Sequence, residues 1–112
     1  MSSAYADEAA HVRTLAPLST RDIARATGAG KSTVEAWLAR RRTPSGVRAE
    51  RLLELSAVVE QAVRVLRPEV VPLWLNKPVP SLELEKPIDL IARGEYLRVA
   101  SILTELESAS FT

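Results

Sequence analysis

Residues 28–33 read Gly28-Ala29-Gly30-Lys31-Ser32-Thr33. These are the residue types with which a phosphate-binding loop holds a nucleotide: open backbone amides, a lysine for the outer phosphates and a hydroxyl for magnesium. That chemistry also needs a glycine five positions before Gly30, a buried strand leading in and a helix leading out. The position is Arg25, and the approach "STRDIARAT" has helical caps and helical periodicity. No later apolar strand ends in an acid for magnesium. A chain of 112 residues has no room for the parallel sheet that such a site requires. Nucleotide hydrolysis is therefore set aside.

Other chemistry is just as poorly supplied. Cysteine is absent, which removes disulfides, thiolate metal sites and a cysteine nucleophile. His11 is the single histidine and lies near the start, so neither a metal site nor a catalytic triad is expected. Glu83, Glu85, Asp89, Glu105 and Glu107 are scattered over a loop and two helices and read as solvated acids. No enzyme activity and no cofactor is expected. What remains is binding, and the charge distribution suggests to what. The net charge is only +1, but residues 1–51 carry nine Lys/Arg against five acids, whereas residues 52–112 carry six against nine. A basic first half and an acidic second half imply two different partners. The lack of cysteine agrees with a reducing cytoplasm. Neither a signal segment nor an apolar run near the ~20 residues of a membrane helix is present, so a cytoplasmic location with no membrane contact is expected.

The elements that position these residues are helical throughout. A first helix is predicted over about residues 7–15, before Pro17, after a frayed start at 1–8. Ser19, with Asp22 three residues on, begins a second, and Gly28 ends it. A third starts at Gly30–Ser32 and runs out near Arg42, before Pro44. Ser45 caps the longest, over 46–66, where Leu52, Leu55, Val59, Ala62, Val63 and Leu66 recur at helical spacing. Leu53, Val58 and Val65 widen its stripe, which suggests either a surface shared with a second protomer or, more commonly, plain core. A short helix over 70–76 admits Pro72 in its first turn. "NKPVPSLELEK" (76–86) reads as an extended loop, since residues before prolines avoid the helical region. "PIDLIARG" forms a helix stopped by Gly94. A last one covers 95–108, with Leu97, Ala100, Ile102, Leu103 and Leu106 apolar. The predicted fold is all-α, with six or seven helices, divided for function into residues 1–66 and 67–112.

The phosphate-loop letters have a second use as a corner between helices. Such a corner needs a small residue where the helices cross, a turn residue that tolerates positive φ, and apolar residues pointing back from the second helix. Ala24, Gly28, Val34 and Trp37 meet these needs, with Ile23 filling the remaining inward position. "TRDIARATGAGKSTVEAWLARRRTPS" resembles the helix-turn-helix of Xre-type bacterial DNA-binding proteins. That resemblance implies that the second helix enters the major groove of operator DNA. Its outward positions would be Lys31, Ser32, Thr33, Glu35, Ala36, Ala39 and Arg40. Lys31, Ser32 and Thr33 suit phosphate oxygens or base edges, and Glu35 suits a cytosine amino group. Arg40, Arg41, Arg42 and Thr43 would follow onto the phosphate backbone.

Trp74-Leu75, Pro78 and Pro80, Pro87-Ile88-Asp89-Leu90, Gly94, then Val99 and Leu103 are similar to the C-terminal module of the MbcA/ParS/Xre antitoxin family. With the corner in front, the resemblance spans residues 17–112. It implies that the chain binds a RES-domain toxin, which consumes NAD⁺, and covers that toxin's active-site entrance. The helix-turn-helix would repress the operon the two share, as a homodimer formed through residues 46–66. Toxin-facing residues would be Lys77 and Pro78 in the proline loop, Arg93, Tyr96 and Arg98 around the start of the last helix, and Glu105, Ser108, Phe111 and Thr112 towards its end. Burial of Phe111, the single phenylalanine, would contribute roughly 1.5–3 kcal/mol. The chain departs from the family's pattern in two places. A small glycine-bearing loop gives way to Ser81-Leu82-Glu83-Leu84-Glu85, and no glycine follows the last helix. The alternative reading is a stand-alone dimeric helix-turn-helix regulator whose second half dimerises or senses a ligand.

Overall fold

Local signals set the first helices. In the structure, a computed structural model that describes residues 7–109, α1 covers Glu8–Leu15 and α2 covers Thr20–Thr27. Ser19 opens α2 with a reciprocal cap: its hydroxyl accepts from the Asp22 amide, and the Asp22 carboxylate accepts from the Ser19 amide, each at 3.0 Å. Gly28 closes α2 in the left-handed region, at φ 79°, as the sequence requires. Then α3 runs over Lys31–Leu38, starting from Gly30 without a side-chain cap. It ends four residues short of the expected Arg42. Arg40 turns to φ 60°, and the amides of Arg41 and Arg42 fold back onto the Ala36 carbonyl.

The longest helix, α4, spans Gly46–Ala62. It ends before the expected residue 66, because the amides of Val65 and Leu66 both turn back to the Ala62 carbonyl. A 3-10 turn at Pro68–Val70 leads into α5 (Val71–Leu75), with Pro72 in its first turn, where a missing amide proton costs nothing. Finally α6 (Pro87–Ala92) and α7 (Tyr96–Ala109) pack against each other beyond the turn that holds Gly94. The described residues contain seven α-helices and no strand, the all-α fold expected. The stretch 76–86 is not simply extended. A 3-10 turn at Pro80–Leu82 and an antiparallel bridge between Val79 and Glu85 pinch it closed, with Glu83 and Leu84 at positive φ.

At the centre lies α4, which packs on α1, α2, α6 and α7. Most of its wide stripe is used within the molecule: Leu52, Leu55, Val58, Val59 and Ala62 are all buried, and Val63, Val65 and Leu66 lean on the same core, whereas Leu53 is 37% exposed. Buried side chains from both sides of residue 66 form one cluster, from Val12, Ile23 and Val34 through to Leu75, Ile88, Ile91, Val99 and Leu103. On α7 the helical stripe faces the core through Val99 and Leu103, leaving Leu97 and Leu106 exposed.

Candidate functional site

The corner between α2 and α3 is held from inside. The buried Thr27 hydroxyl donates to the Ile23 carbonyl at 2.8 Å and accepts from the Ala29 amide at 3.3 Å, so both its bonding roles are met. Ile23, Val34 and Trp37 are buried across the corner, and Ala24 packs beside them. This fixes which face of α3 looks outward. Lys31, Ser32 and Glu35 are exposed and Thr33 is half-buried. Ala36 is not outward as expected. At 8% exposure it is buried, because the chain leaving α3 folds back over its carbonyl.

Beyond α3, residues 39–45 form a connection with its side chains in solvent, anchored by the buried Pro44. Arg41, Arg42 and Thr43 are exposed, and neither arginine has an ion-pair partner among the described residues. Arg40 differs, as its guanidinium lies 2.8 Å from the Asp7 carboxylate at the start of α1. Lys31, Ser32, Glu35, the three arginines, Thr43 and Ser45 are thus the charged and polar side chains that α3 and its exit leave to solvent.

The second half builds its surface differently. Arg93 donates two bonds of 2.8 Å to the Glu85 carboxylate and a third, of 2.9 Å, to Glu95. Arg98 adds a bond of 3.0 Å to Glu95 and lies 3.8 Å from Glu85. The pinched loop 79–85 is thereby tied to the α6–α7 junction. The Arg93 hydrogen bonds hold the Glu85 and Glu95 carboxyls below their ordinary value, and Arg98 adds to the effect on Glu95. The carboxylates raise the Arg93 guanidinium in turn, Glu85 first. The loop displays Leu84, two-thirds exposed, at its tip.

Of the residues expected to face a toxin, Arg93 and Arg98 are brought together by this network. Lys77 and Pro78 are exposed at the start of the loop it holds. Tyr96 is half-buried against the core. Glu105 lies on an open face of α7 with Leu97, Ala100, Ser101 and Thr104, and Ser108 is exposed one turn further on. Phe111 and Thr112 lie outside the described residues. Glu85 and Glu95 organise the cluster, so Glu85 is bound by Arg93 rather than solvated as its sequence position suggests. The opposite charges of Arg93 and Arg98 were the signal available. Among the described residues, no group of three or more His, Asp or Glu is placed to hold a metal ion. No helix is long and apolar enough to cross a membrane.

No protein-family model matches the chain. It is 31% identical over 83 residues to the mycobacterial cidal antitoxin MbcA of Mycobacterium tuberculosis, covering 74% of each protein, and equally so to that of Mycobacterium bovis. The chain belongs to the MbcA antitoxin family. Its fold is also that of a solved relative. A chain of the crystal structure of the M. tuberculosis MbcT–MbcA toxin–antitoxin complex superposes with a TM-score of 0.85 at 25% identity, covering 99% of this chain and all of that one. The MbcA likeness therefore extends over the corner, the pinched loop and both terminal helices.

Proposed function

We propose that the chain is the antitoxin of a toxin–antitoxin pair. In this reading its second half docks on a RES-domain toxin that consumes NAD⁺, closing the toxin's active-site entrance. Its α2–α3 corner acts as a helix-turn-helix that represses the shared operon in the cytoplasm. The NAD⁺ chemistry belongs to the toxin, and this chain acts by binding.

One observation carries the toxin half: the near-complete superposition on a chain from a toxin–antitoxin complex, by a member of an antitoxin family. The surface is also suited to docking. A loop with Leu84 at its tip is held by charge-assisted bonds, so little ordering entropy remains to oppose binding. Lys77, Glu105 and Ser108 are exposed, as are the apolar Leu84 and Leu97, so this half offers both the polar and the apolar side chains that a docking surface uses.

The DNA half rests on the corner. Lys31, Ser32, Thr33 and Glu35 sit in the first turns of α3, where open amides and short polar side chains meet base edges and phosphates. Arg41, Arg42 and Thr43 extend this onto the backbone, and Arg40 joins them when it leaves Asp7. Two copies on one operator supply the affinity that a single helix-turn-helix lacks. Co-expression tests the reading: the cognate toxin should arrest growth alone and lose that effect with this chain. Arrest that persists at full antitoxin expression overturns it.

A further inference from the structure

The two halves meet at α2, the helix that supports the outward face of α3, and they meet through side chains with few alternatives. Arg25 on α2 grips Asp89 on α6 with two nitrogens, at 2.8 and 3.1 Å. One turn earlier, Asp22 splits its carboxylate. One oxygen caps α2 through the Ser19 amide, and the other accepts from the Asn76 side chain at 3.0 Å. Asn76 is itself held, since the same nitrogen donates to the Pro72 carbonyl at 2.8 Å. Beneath these bonds α2 packs directly on α6 as well as on α4 and α3. The second half therefore shares with α4 in setting where α2 stands, and α3 follows through the corner locked by Thr27.

We infer that Asp89 and Asn76 are positioning residues for DNA recognition: the half that faces the toxin also aims the helix pair that reads the operator. This rests on the DNA reading proposed above. Neither residue lies on α3 or on the arginine connection, so each acts through α2. A bidentate arginine–carboxylate pair resists bending in its own plane, as one point contact does not. Groove reading depends on helix placement to within fractions of an ångström, so a small loss of bracing is felt at the base edges.

The test is a double variant, Asp89→Asn with Asn76→Ala, of the full chain. The probe is a fluorescent duplex carrying the DNA immediately upstream of the chain's own coding sequence. The variant removes a negative charge, so electrostatics alone would tighten DNA binding. The expected result is the opposite, about tenfold weaker binding, with amide exchange across Ile23–Ala26 about tenfold faster. Glu107→Gln serves as control. It breaks an ion pair of 2.9 Å between Arg64 and Glu107, which leaves α2 untouched. The control removes the same charge and should bind the duplex at least as tightly as the wild type, at a comparable melting temperature. Unchanged affinity in the double variant, or an equal loss in Glu107→Gln, overturns the inference. A wild-type chain that fails to bind any such duplex overturns the DNA reading itself. The exchange measurement needs no DNA and still decides whether the brace holds α2.

Discussion

Gly94 and Gly28 occupy nearly the same backbone conformation, at φ 85° and 79°, but meet different surroundings. A Cβ on Gly28 would have no heavy atom within 4 Å, whereas one on Gly94 would lie 2.7 Å from Arg51 Nη2 and 3.0 Å from its Cζ. Replacement by alanine should therefore separate the two contributions. At Gly28 the cost is the left-handed conformation alone, about 1 kcal/mol. At Gly94 the same cost applies, and Arg51 must also move. Its guanidinium is mostly buried across the α6–α7 corner and bonds Glu54 at 3.0 Å. Losing that pair adds up to about 1 kcal/mol. Gly94→Ala should cost up to about 1 kcal/mol more than Gly28→Ala, and each kcal/mol lowers the melting temperature by about 4–8 °C. Urea unfolding of the four members of a Gly94→Ala, Arg51→Ala cycle isolates the Arg51 contribution. In the Arg51→Ala background the excess cost at Gly94 should vanish. Equal costs at the two glycines, or no coupling in the cycle, would refute the packing of Arg51 on this corner.

Three further expectations follow from single side chains. Ser56 is 3% exposed and its hydroxyl has no hydrogen-bond partner among the described residues. Ser56→Ala should therefore stabilise by about 1 kcal/mol, raising the urea midpoint at constant slope; a lower midpoint contradicts this. Asp7→Asn should free Arg40 for phosphate and steepen the salt dependence of DNA binding by about one counterion, which an unmoved slope would contradict. The third concerns pH. Glu85 and Glu95 have folded values below their ordinary 4.5, so the stability they give is present above that value and lost as pH falls through the lowered one. The loop 79–85 should loosen under acid, seen as a shift of the Leu84 methyl signals starting below about pH 4.5, while signals from Val12 and Ile23 stay fixed. Leu84 signals that remain constant under acid for as long as the rest of the fold survives would contradict the clamp.

The legible parts of the chain are those fixed by neighbours in sequence. Ser19 and Asp22, three residues apart, announce α2. Gly28 announces its end, and the spacing of Leu52, Leu55, Val59 and Ala62 announces α4. Misread parts depend on distant or returning chain. Ala36 has the spacing of an outward residue, and only the fold-back of Arg41 and Arg42 onto its carbonyl covers it. The loop 79–85 adopts positive φ at Glu83 and Leu84, where local rules expect glycine, and the ion network anchored on Arg93 holds it shut. Leu97 and Val99 are equally apolar, and periodicity alone does not say which of the two stripes on α7 meets α4 and α6. Arg25 and Asp89 are 64 residues apart, beyond the reach of any local pattern.

The central claim is that this chain silences a toxin by occupying it. Its most direct measurement is NAD⁺ consumption by the purified cognate toxin, titrated with the purified chain. Consumption should fall in proportion to antitoxin added and stop at a fixed molar ratio. NAD⁺ loss that continues unabated in the presence of excess chain contradicts the claim.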